Sequence, residues 1–299
     1  MLRDLRDSLI AKQLLILKTG MKGNMMVFAP LCLLLCWMLP VDSMTIRYNL
    51  ILQDVSQDMP WSKSTPLSMV EDSVDDMYFG CNEEAAQKVK KAYFEKERNM
   101  APFGEAWKKE KNCSEENLKK REKEDKALTK DHMQAICVYT RVQGVYKEFN
   151  VAVRTQRSKY NSSSFQFHSL HFLLTSAIQI LNRNFHCHTT YRRTRDKFSG
   201  KVNQIIRFGS FTSSSYRTDL KQFGYITCFK IKTCLGAFLK NYSSIPEEKE
   251  VLIPPYEMFK ITKTIKGKSK IQGLDDCKIV YVVESAGCKS NLNCKAAYP

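Results

Sequence analysis

The stretch Glu247-Glu248-Lys249-Glu250-Val251-Leu252-Ile253-Pro254-Pro255-Tyr256-Glu257 runs two carboxylates, Glu248 and Glu250, directly into an apolar segment. Side chains at positions i and i+2 of a strand point to the same face, so the spacing predicts that both glutamates project together, opposite Val251 and Ile253. Like charges side by side disfavour strand pairing, which indicates a site that handles positive charge: a cationic transition state, a cationic acceptor, or both. A solvated loop end is the alternative interpretation of a glutamate-rich run.

The N-terminal region has the composition of a targeting segment. Residues 25–39 form a mainly apolar, uncharged run, and Lys18 and Lys22 precede it. This run is shorter than the roughly 20 apolar residues of a spanning helix. Its basic-then-apolar order predicts a signal peptide within residues 1–43, with an uncleaved anchor as the alternative. Residues 294–299 lack the apolar tail of a lipid-anchor signal, so we expect a soluble, secreted mature chain.

Nine of the eleven cysteines follow the predicted signal peptide. In an exported chain they favour disulfides, and their odd number leaves at least one thiol free or paired between chains. The sequence has no C-x-x-C pair and no histidine pair at metal-ligand spacing, so we expect no metal site. Three sequons are candidate glycosylation sites, at Asn112, Asn161 and Asn241.

The chain is strongly basic, with a formal net charge of +16. Its basic residues are scattered among acidic ones, and the sequence has no recognised nucleic-acid module. The charge therefore favours anionic surfaces and an anionic cofactor as partners, and not a specific nucleic acid.

The pattern of apolar residues changes near residue 185. Before it, apolar positions at three- and four-residue spacing predict helices, with a break at Pro102-Phe103-Gly104. The predicted helices include a charged one within residues 114–131 and apolar ones around 133–146 and 165–181.

After residue 185, alternating apolar positions predict short strands. The predicted strands are residues 187–192, 204–214, 225–234, 250–262 and 278–284. Helices followed by strands predict an α+β fold in a single domain of residues 44–299, with a helical lobe (72–184) and a β-rich core (185–294).

Two predicted strands add polar motifs to the glutamate pair. Arg192, in Tyr191-Arg192-Arg193-Thr194, has a planar donor fork that can bind a diphosphate. Ser213 and Ser215 share a face, and their hydroxyls can bind ribose or orient a carboxylate. An exposed arginine and a serine-rich edge strand are the alternative interpretations. No histidine is near these serines in the sequence, so a hydrolase triad has no support.

In chain order these motifs give Arg, then Ser-x-Ser, then Glu-x-Glu. This order resembles the R-S-E signature of the arginine-specific ecto-mono-ADP-ribosyltransferases, the class that includes cholera-like toxins. The resemblance extends over residues 72–294 through three further segments: Val74-Asp75-Asp76-Met77-Tyr78-Phe79-Gly80-Cys81, Phe229-Lys230-Ile231-Lys232-Thr233-Cys234-Leu235-Gly236-Ala237 and Lys289-Ser290-Asn291-Leu292-Asn293-Cys294.

The resemblance implies a helical N-terminal lobe followed by a split, mainly antiparallel two-sheet NAD-binding core. It implies NAD+ as co-substrate, with NADP+ as an alternative, and no metal. The acceptors would be arginine-bearing extracellular or surface proteins, and the chain would act as a monomer.

The resemblance also implies roles for individual residues. Glu250 would be the catalytic glutamate, and Glu248 would position the acceptor arginine. Arg192 would hold the NAD phosphates, and Ser213 would contact the nicotinamide ribose and help place Glu250. The residues implied to contact NAD are Arg192, Ser213, Ser215, Phe223 and Glu250.

Two disulfides are implied as well, Cys81–Cys294 and Cys187–Cys234, while the pairing of the other cysteines stays open. Two positions depart from the family pattern. Arg193 stands where the family often has glycine, and Lys249 separates the two glutamates, where it could lower their pKa values or point to solvent.

The implied chemistry suits these residues, because cleavage of the nicotinamide–ribose bond builds positive charge on the ribose. A nearby carboxylate stabilises that charge more in the transition state than in the ground state. Three functions are consistent with the sequence: transfer of ADP-ribose to arginine, NAD hydrolysis with water as acceptor, and a catalytically inactive, secreted basic binding protein.

Overall fold

The computed structural model describes residues 64–142 and 144–298. These described residues form one compact unit. The predicted signal peptide, residues 1–43, lies outside the described residues. Among the residues that are described, no helix is both long and apolar enough to cross a membrane.

The N-terminal half of the described chain is helical, as predicted. π-helical turns (Val89–Phe94) join the first two helices into one rod. The α-helices in chain order are α1 (Asn82–Lys88), α2 (Glu95–Glu97), α3 (Phe103–Lys109), α4 (Lys111–Lys119), α5 (Lys130–Thr140), α6 (Tyr146–Thr155) and α7 (His168–Leu181).

Two helix predictions are wrong in extent. The charged segment 114–131 is α-helical as far as Lys119, makes a 3-10 turn at Lys123–Asp125 and becomes α-helical again at Lys130. The helix is interrupted where Leu128 is fully buried and the Arg121 guanidinium donates to the Leu128 carbonyl. The predicted helix around 133–146 is two helices. Thr129 caps the first of them, and the chain turns at Gly144, where a Cβ would lie 2.9 Å from the Arg141 carbonyl oxygen.

The strands follow, with two predicted ones each divided in two. Residues 204–214 bend at Gly209, whose φ is +72°, and residues 250–262 break at Pro254-Pro255, which have no N–H to donate. The strands are β1 (Thr65–Pro66), β2 (His188–Thr194), β3 (Phe198–Ser199), β4 (Ile205–Arg207), β5 (Thr212–Ser215), β6 (Thr227–Thr233), β7 (Ala237–Phe238), β8 (Glu250–Ile253), β9 (Glu257–Lys266) and β10 (Ile279–Cys288).

Eight of these strands form one hydrogen-bonded sheet in the order β4-β9-β10-β6-β2-β5-β8-β7, while β1 and β3 pair separately. Within the large sheet, β10 and β6 are parallel, and the other pairs are antiparallel. The implied split lies between β2 and β5, where only Tyr191 and Ser215 are in register. By contrast, β2 and β6 pair along seven residues. The two halves of the sheet therefore diverge at this seam.

Two main apolar cores hold the fold. The larger one packs α5 and α7 with aromatic side chains of the helical lobe against β7 and β8. The second lies under β6, β9 and β10, around Phe229, Phe259 and Tyr281. β8 is buried along its whole length because it lies between β5 and β7, with the helical core against it.

Four disulfides staple these layers. Cys81–Cys294 and Cys187–Cys234 are the two pairs that the resemblance implied, and Cys113–Cys137 and Cys228–Cys277 complete the set. The first joins residues 213 positions apart in the sequence. Cys288 is free and exposed, so it is the unpaired thiol that the odd cysteine count predicted.

Candidate active site

A pocket opens at the seam between β2 and β5. It contains every residue that the sequence analysis placed in the NAD and acceptor sites. The side chains that line it are Tyr191, Arg192, Arg193, Ser213, Ser214, Ser215, Arg217, Leu220, Phe223, Glu248 and Glu250. Three separate strands and two turns supply them, which explains why residues so far apart in the sequence meet here.

Arg192 lies in β2 at the bottom of the seam. Its Nη1 donates to the Ser213 carbonyl oxygen at 2.7 Å, which holds the guanidinium against β5. Burial lowers the pKa of Arg192, but a guanidinium stays protonated in proteins. Arg192 also lines a second pocket, on the side of Arg154 and Phe208, so its side chain borders both cavities.

Glu250 begins β8 and is buried, with 8% of its surface exposed. Burial raises the pKa of Glu250 to about 7, while hydrogen bonding from Ser213 and Ser243 and the charge of Arg192 act in the opposite direction. Ser243 Oγ lies 3.4 Å from Glu250 Oε2. The site therefore holds a carboxylate that titrates near neutral pH close to an arginine.

Glu248 lies in a 3-10 turn, Pro246–Glu248, and not in the strand. The prediction that the two glutamates share a strand face is therefore wrong. Pro246 favours the turn, and Lys249 adopts the left-handed conformation (φ 47°, ψ 52°) that ends it. Both carboxylates still reach one pocket, with Glu248 half-buried at its rim. Burial, followed by the charge of Glu247, raises the pKa of Glu248.

Lys249 itself points to solvent, where its side chain is exposed. Of the two orientations that the sequence left open, the structure has this one. The causes that set the pKa of Glu250 are its burial, Ser213, Glu248, Ser243 and Arg192.

Ser213 and Ser215, the two serines of β5 that the sequence singled out, have different hydrogen-bond partners. The Ser213 hydroxyl hydrogen-bonds Glu250. The Ser215 hydroxyl donates to the carbonyl of Glu248 and accepts from the backbone N–H of Arg217. Ser215 therefore holds the turn that carries Glu248. The contact with NAD that the resemblance implies would have to use the same hydroxyl.

Phe223 lies at the rim of the pocket, in the turn Lys221–Phe223, and 46% of its surface is exposed. Gly224 ends this turn with φ +118°, and a Cβ there would lie 2.6 Å from the backbone of Thr194 and Arg195. Only glycine fits at this position without displacing the start of the loop from β2.

Arg193 is the anchor of that loop. Its buried guanidinium donates to the carbonyls of Thr218 and Gly224, which flank Phe223 in the chain, and to the carbonyl of Gly273. Two further hydrogen bonds, at 2.8 and 3.2 Å, join it to the carboxylate of Asp276. The departure from the family pattern at this position therefore supplies a clamp that holds two loops to β2.

Sequence reasoning missed three residues around the two glutamates. Ser243, which hydrogen-bonds Glu250, is visible in the sequence only as part of a sequon. Tyr139 lies in α5, donates to the Phe211 carbonyl and is buried close enough for the Glu250 charge to contribute to its pKa, which burial raises to about 12. Tyr139 is far from the motifs in sequence, and Ser243, although it precedes Glu250 by only seven residues, carries no local signal of this contact.

Lys240 is the third residue that the sequence did not single out. Its ammonium lies 2.6 to 2.8 Å from carboxylates of Glu122, Glu124 and Asp125. These three acids are close enough together to hold a metal ion, and in this structure the lysine lies among them. The contact fastens the segment that leads to Glu248 onto the helical lobe.

The three sequon asparagines, Asn112, Asn161 and Asn241, are exposed. Exposure is necessary for glycosylation but does not demonstrate it, so the three sites stay predictions.

The family model and the relatives with similar sequences identify the same family. The family model described as NAD:arginine ADP-ribosyltransferase matches residues 67–276. The erythroblast NAD(P)(+)--arginine ADP-ribosyltransferase of Gallus gallus is 32% identical over 78% of this chain and 76% of its own. T-cell ecto-ADP-ribosyltransferase 1 of Rattus norvegicus is 34% identical over 76% of this chain and 79% of its own.

The solved structures agree. A mutant of the eucaryotic mono-ADP-ribosyltransferase ART2.2 in complex with NADH has a TM-score of 0.62 and 31% identity, covering 77% of this chain and 98% of that one. A second ART2.2 mutant, in complex with NAD, has a TM-score of 0.60 and 30% identity over the same shares. By family model, sequence and fold, the chain belongs to the NAD:arginine ADP-ribosyltransferase family.

Proposed function

We propose that this protein transfers ADP-ribose from NAD+ to the guanidinium of protein arginine and releases nicotinamide. The observation that carries the proposal is the convergence of Arg192, Ser213, Glu248 and Glu250 on one pocket. The names of its relatives, which are arginine ADP-ribosyltransferases using NAD(P)(+), support the same chemistry and NADP+ as an alternative donor.

On the donor side, Arg192 binds the diphosphate and Phe223 stacks on the nicotinamide at the rim. Glu250, in its ionised form, stabilises the positive charge that develops on the ribose as the bond to nicotinamide breaks. Ser213 holds this carboxylate in place through its hydroxyl. Nicotinamide leaves with the bonding electron pair, so it departs as a neutral molecule.

On the acceptor side, Glu248 binds the arginine guanidinium from the rim of the pocket. A guanidinium nitrogen attacks the anomeric carbon and forms the new C–N bond, and the proton that it loses passes to Glu248 and then to water. A protonated guanidinium is a poor nucleophile, so both orientation and proton removal are required. The two glutamates thus divide the work between donor and acceptor.

The four disulfides fit an extracellular protein, and relatives of this chain are named ecto-enzymes. We propose that the mature protein is a secreted monomer. Its acceptors would be arginine-bearing proteins outside the cell or on its surface.

The test uses the disulfide-bonded chain from Met44 with labelled NAD+ and agmatine, a small guanidine acceptor. We expect ADP-ribosyl-agmatine to exceed free ADP-ribose, with nicotinamide released in amounts equal to the two together. Mainly free ADP-ribose would make the protein an NAD glycohydrolase. No consumption of NAD+ or NADP+ would contradict the proposal and favour a binding protein.

A further inference from the structure

One face of the sheet carries lysines beside the active-site pocket. Lys230 and Lys232 project from β6, opposite the buried face that holds Phe229 and Ile231. Lys260 and Lys263 project from β9 on the same side, because β10 keeps both strands in register. We call these four lysines the lysine face.

The register fixes the order of side chains across this face. Glu284 of β10 lies between Lys232 and Lys260, and Val282 lies between Lys230 and Lys263. The four lysines and the one glutamate give these rows a net charge of +3. Three of the lysines are exposed, and Lys230 is half-buried.

Protection of a sheet edge does not account for three of these lysines. Edge strands often carry lysine to prevent pairing with another chain, but Lys230 and Lys232 lie on β6 between β10 and β2, and Lys260 lies where β9 pairs with both β10 and β4. The lysine face is therefore a basic surface that lies mainly in the interior of the sheet.

This face is continuous with the active site. Tyr191 lines the pocket and pairs with Lys230 on one side and with Ser215 on the other, and Ser215 pairs in turn with Glu250. Counted along the sheet at about 4.8 Å per strand, β6 lies three strands, or about 14 Å, from the Glu250 strand, and β9 lies five strands, or about 24 Å, from it. Agmatine bound at Glu248 cannot reach that far.

A protein acceptor does reach it. A typical protein interface covers about 800 Å² on each partner, which corresponds to a patch about 30 Å across. From these distances we infer that the lysine face contacts the protein acceptor and selects target arginines that lie within an acidic surface. The inference rests on the proposed function and adds a substrate class to it.

The test compares two acceptors and three enzymes. The acceptors are a small folded protein with one accessible arginine surrounded by glutamates, and its twin with those glutamates replaced by glutamine. One variant combines Lys230→Gln, Lys232→Gln, Lys260→Gln and Lys263→Gln. A control variant makes the same change in net charge at exposed lysines of the helical lobe, with Lys90→Gln, Lys91→Gln, Lys96→Gln and Lys108→Gln.

We expect the lysine-face variant to lose about tenfold or more in kcat/KM for the acidic acceptor at low salt, because rim charges act mainly on association. The kcat/KM of this variant for the neutral twin and for agmatine should change less than about twofold. The preference of the wild type for the acidic acceptor over the neutral twin should decrease at high salt. The control variant should keep the preference.

Equal use of the two acceptors by the wild type would overturn the inference, as would a preference that survives in the lysine-face variant. Retention on immobilised heparin that only the lysine-face variant loses, together with equal use of both acceptors, would assign the face to a sulfated glycan instead. Transfer to agmatine distinguishes failure of the proposed function from failure of this inference alone. Its absence in the wild type overturns the proposed function, and with it this inference.

Discussion

At the scale of single residues, the proposed mechanism makes activity depend on the protonation state of Glu250. Burial raises the pKa of Glu250 to about 7, and in the proposal the ionised form stabilises the cationic transition state. Free-enzyme activity, kcat/KM, should therefore rise with pH through about 7 and level off above it.

The Ser213 hydroxyl hydrogen-bonds this carboxylate and lowers its pKa. Ser213→Ala should therefore raise the pKa and move the midpoint of the kcat/KM profile to higher pH, in addition to any loss of rate. Ser214→Ala is the matched control, because the Ser214 hydroxyl donates to the Val251 carbonyl instead. A midpoint that is the same in Ser213→Ala and the wild type would show that the hydroxyl does not set the titration of Glu250.

The residues proposed to carry the chemistry could be singled out because their types and order are visible along the chain. Arg192, Ser213 and Glu250 all line the pocket at the seam between β2 and β5. The partners that adjust them could not be predicted. Tyr139 is far from the motifs in sequence and approaches the site through the packing of α5. Ser243 precedes Glu250 by only seven residues, but it reaches that carboxylate through the turns before β8, which the sequence pattern does not show.

At the scale of elements, the loop that carries Phe223 depends on Arg193. Arg193→Lys keeps the charge but loses the planar fork that reaches several carbonyls at once. We expect KM for NAD+ to rise by about fivefold or more, while kcat with saturating NAD+ changes less. The reason is that the variant displaces the loop that carries Phe223 and leaves the two carboxylates in place.

Arg98→Lys is the control for this prediction, since Arg98 is exposed in the helical lobe and pairs with Glu95. KM for agmatine should stay the same in both variants. If Arg193→Lys lowers kcat and leaves KM for NAD+ unchanged, the clamp does not act through the NAD loop.

Element types were predictable from periodicity, whereas their breaks depended on single residues. The pair Pro254-Pro255 separates β8 from β9, and the left-handed Lys249 moves Glu248 out of the strand. A lysine at φ 47° has no signature in sequence, since glycine or asparagine is the usual choice there. The spacing of Glu248 and Glu250 predicted correctly that both carboxylates reach one pocket. It predicted wrongly that they do so from one face of a strand.

At the scale of the whole molecule, long-range staples connect the two ends of the domain. Cys81 precedes α1 and Cys294 lies near the C-terminus, with 213 residues of separation. Replacing both by serine should lower the free energy of unfolding by about 2–5 kcal/mol, seen as a lower Tm in thermal melts.

Cys288→Ser is the matched control, because Cys288 is free and exposed, and its Tm should differ little from that of the wild type. Equal Tm values for the double variant and the control would mean that the Cys81–Cys294 bond adds nothing to stability.

The overall class was predictable, because helices precede strands and the motifs occur in a fixed order. The sheet order was not, since β10 inserts between β9 and β6 and one pair of residues alone joins β2 to β5. Such long-range pairing depends on the three-dimensional packing of both cores. The seam that it creates is what turns three scattered motifs into one site.

The most direct test of the proposed chemistry measures both products in Glu248→Gln and Glu250→Gln. With labelled NAD+ and agmatine, Glu250→Gln should lose both ADP-ribosyl-agmatine and free ADP-ribose by about a hundredfold or more. Glu248→Gln should lose the agmatine product and retain hydrolysis. Undiminished transfer by Glu248→Gln, or appreciable turnover by Glu250→Gln, would contradict the division of work between the two carboxylates.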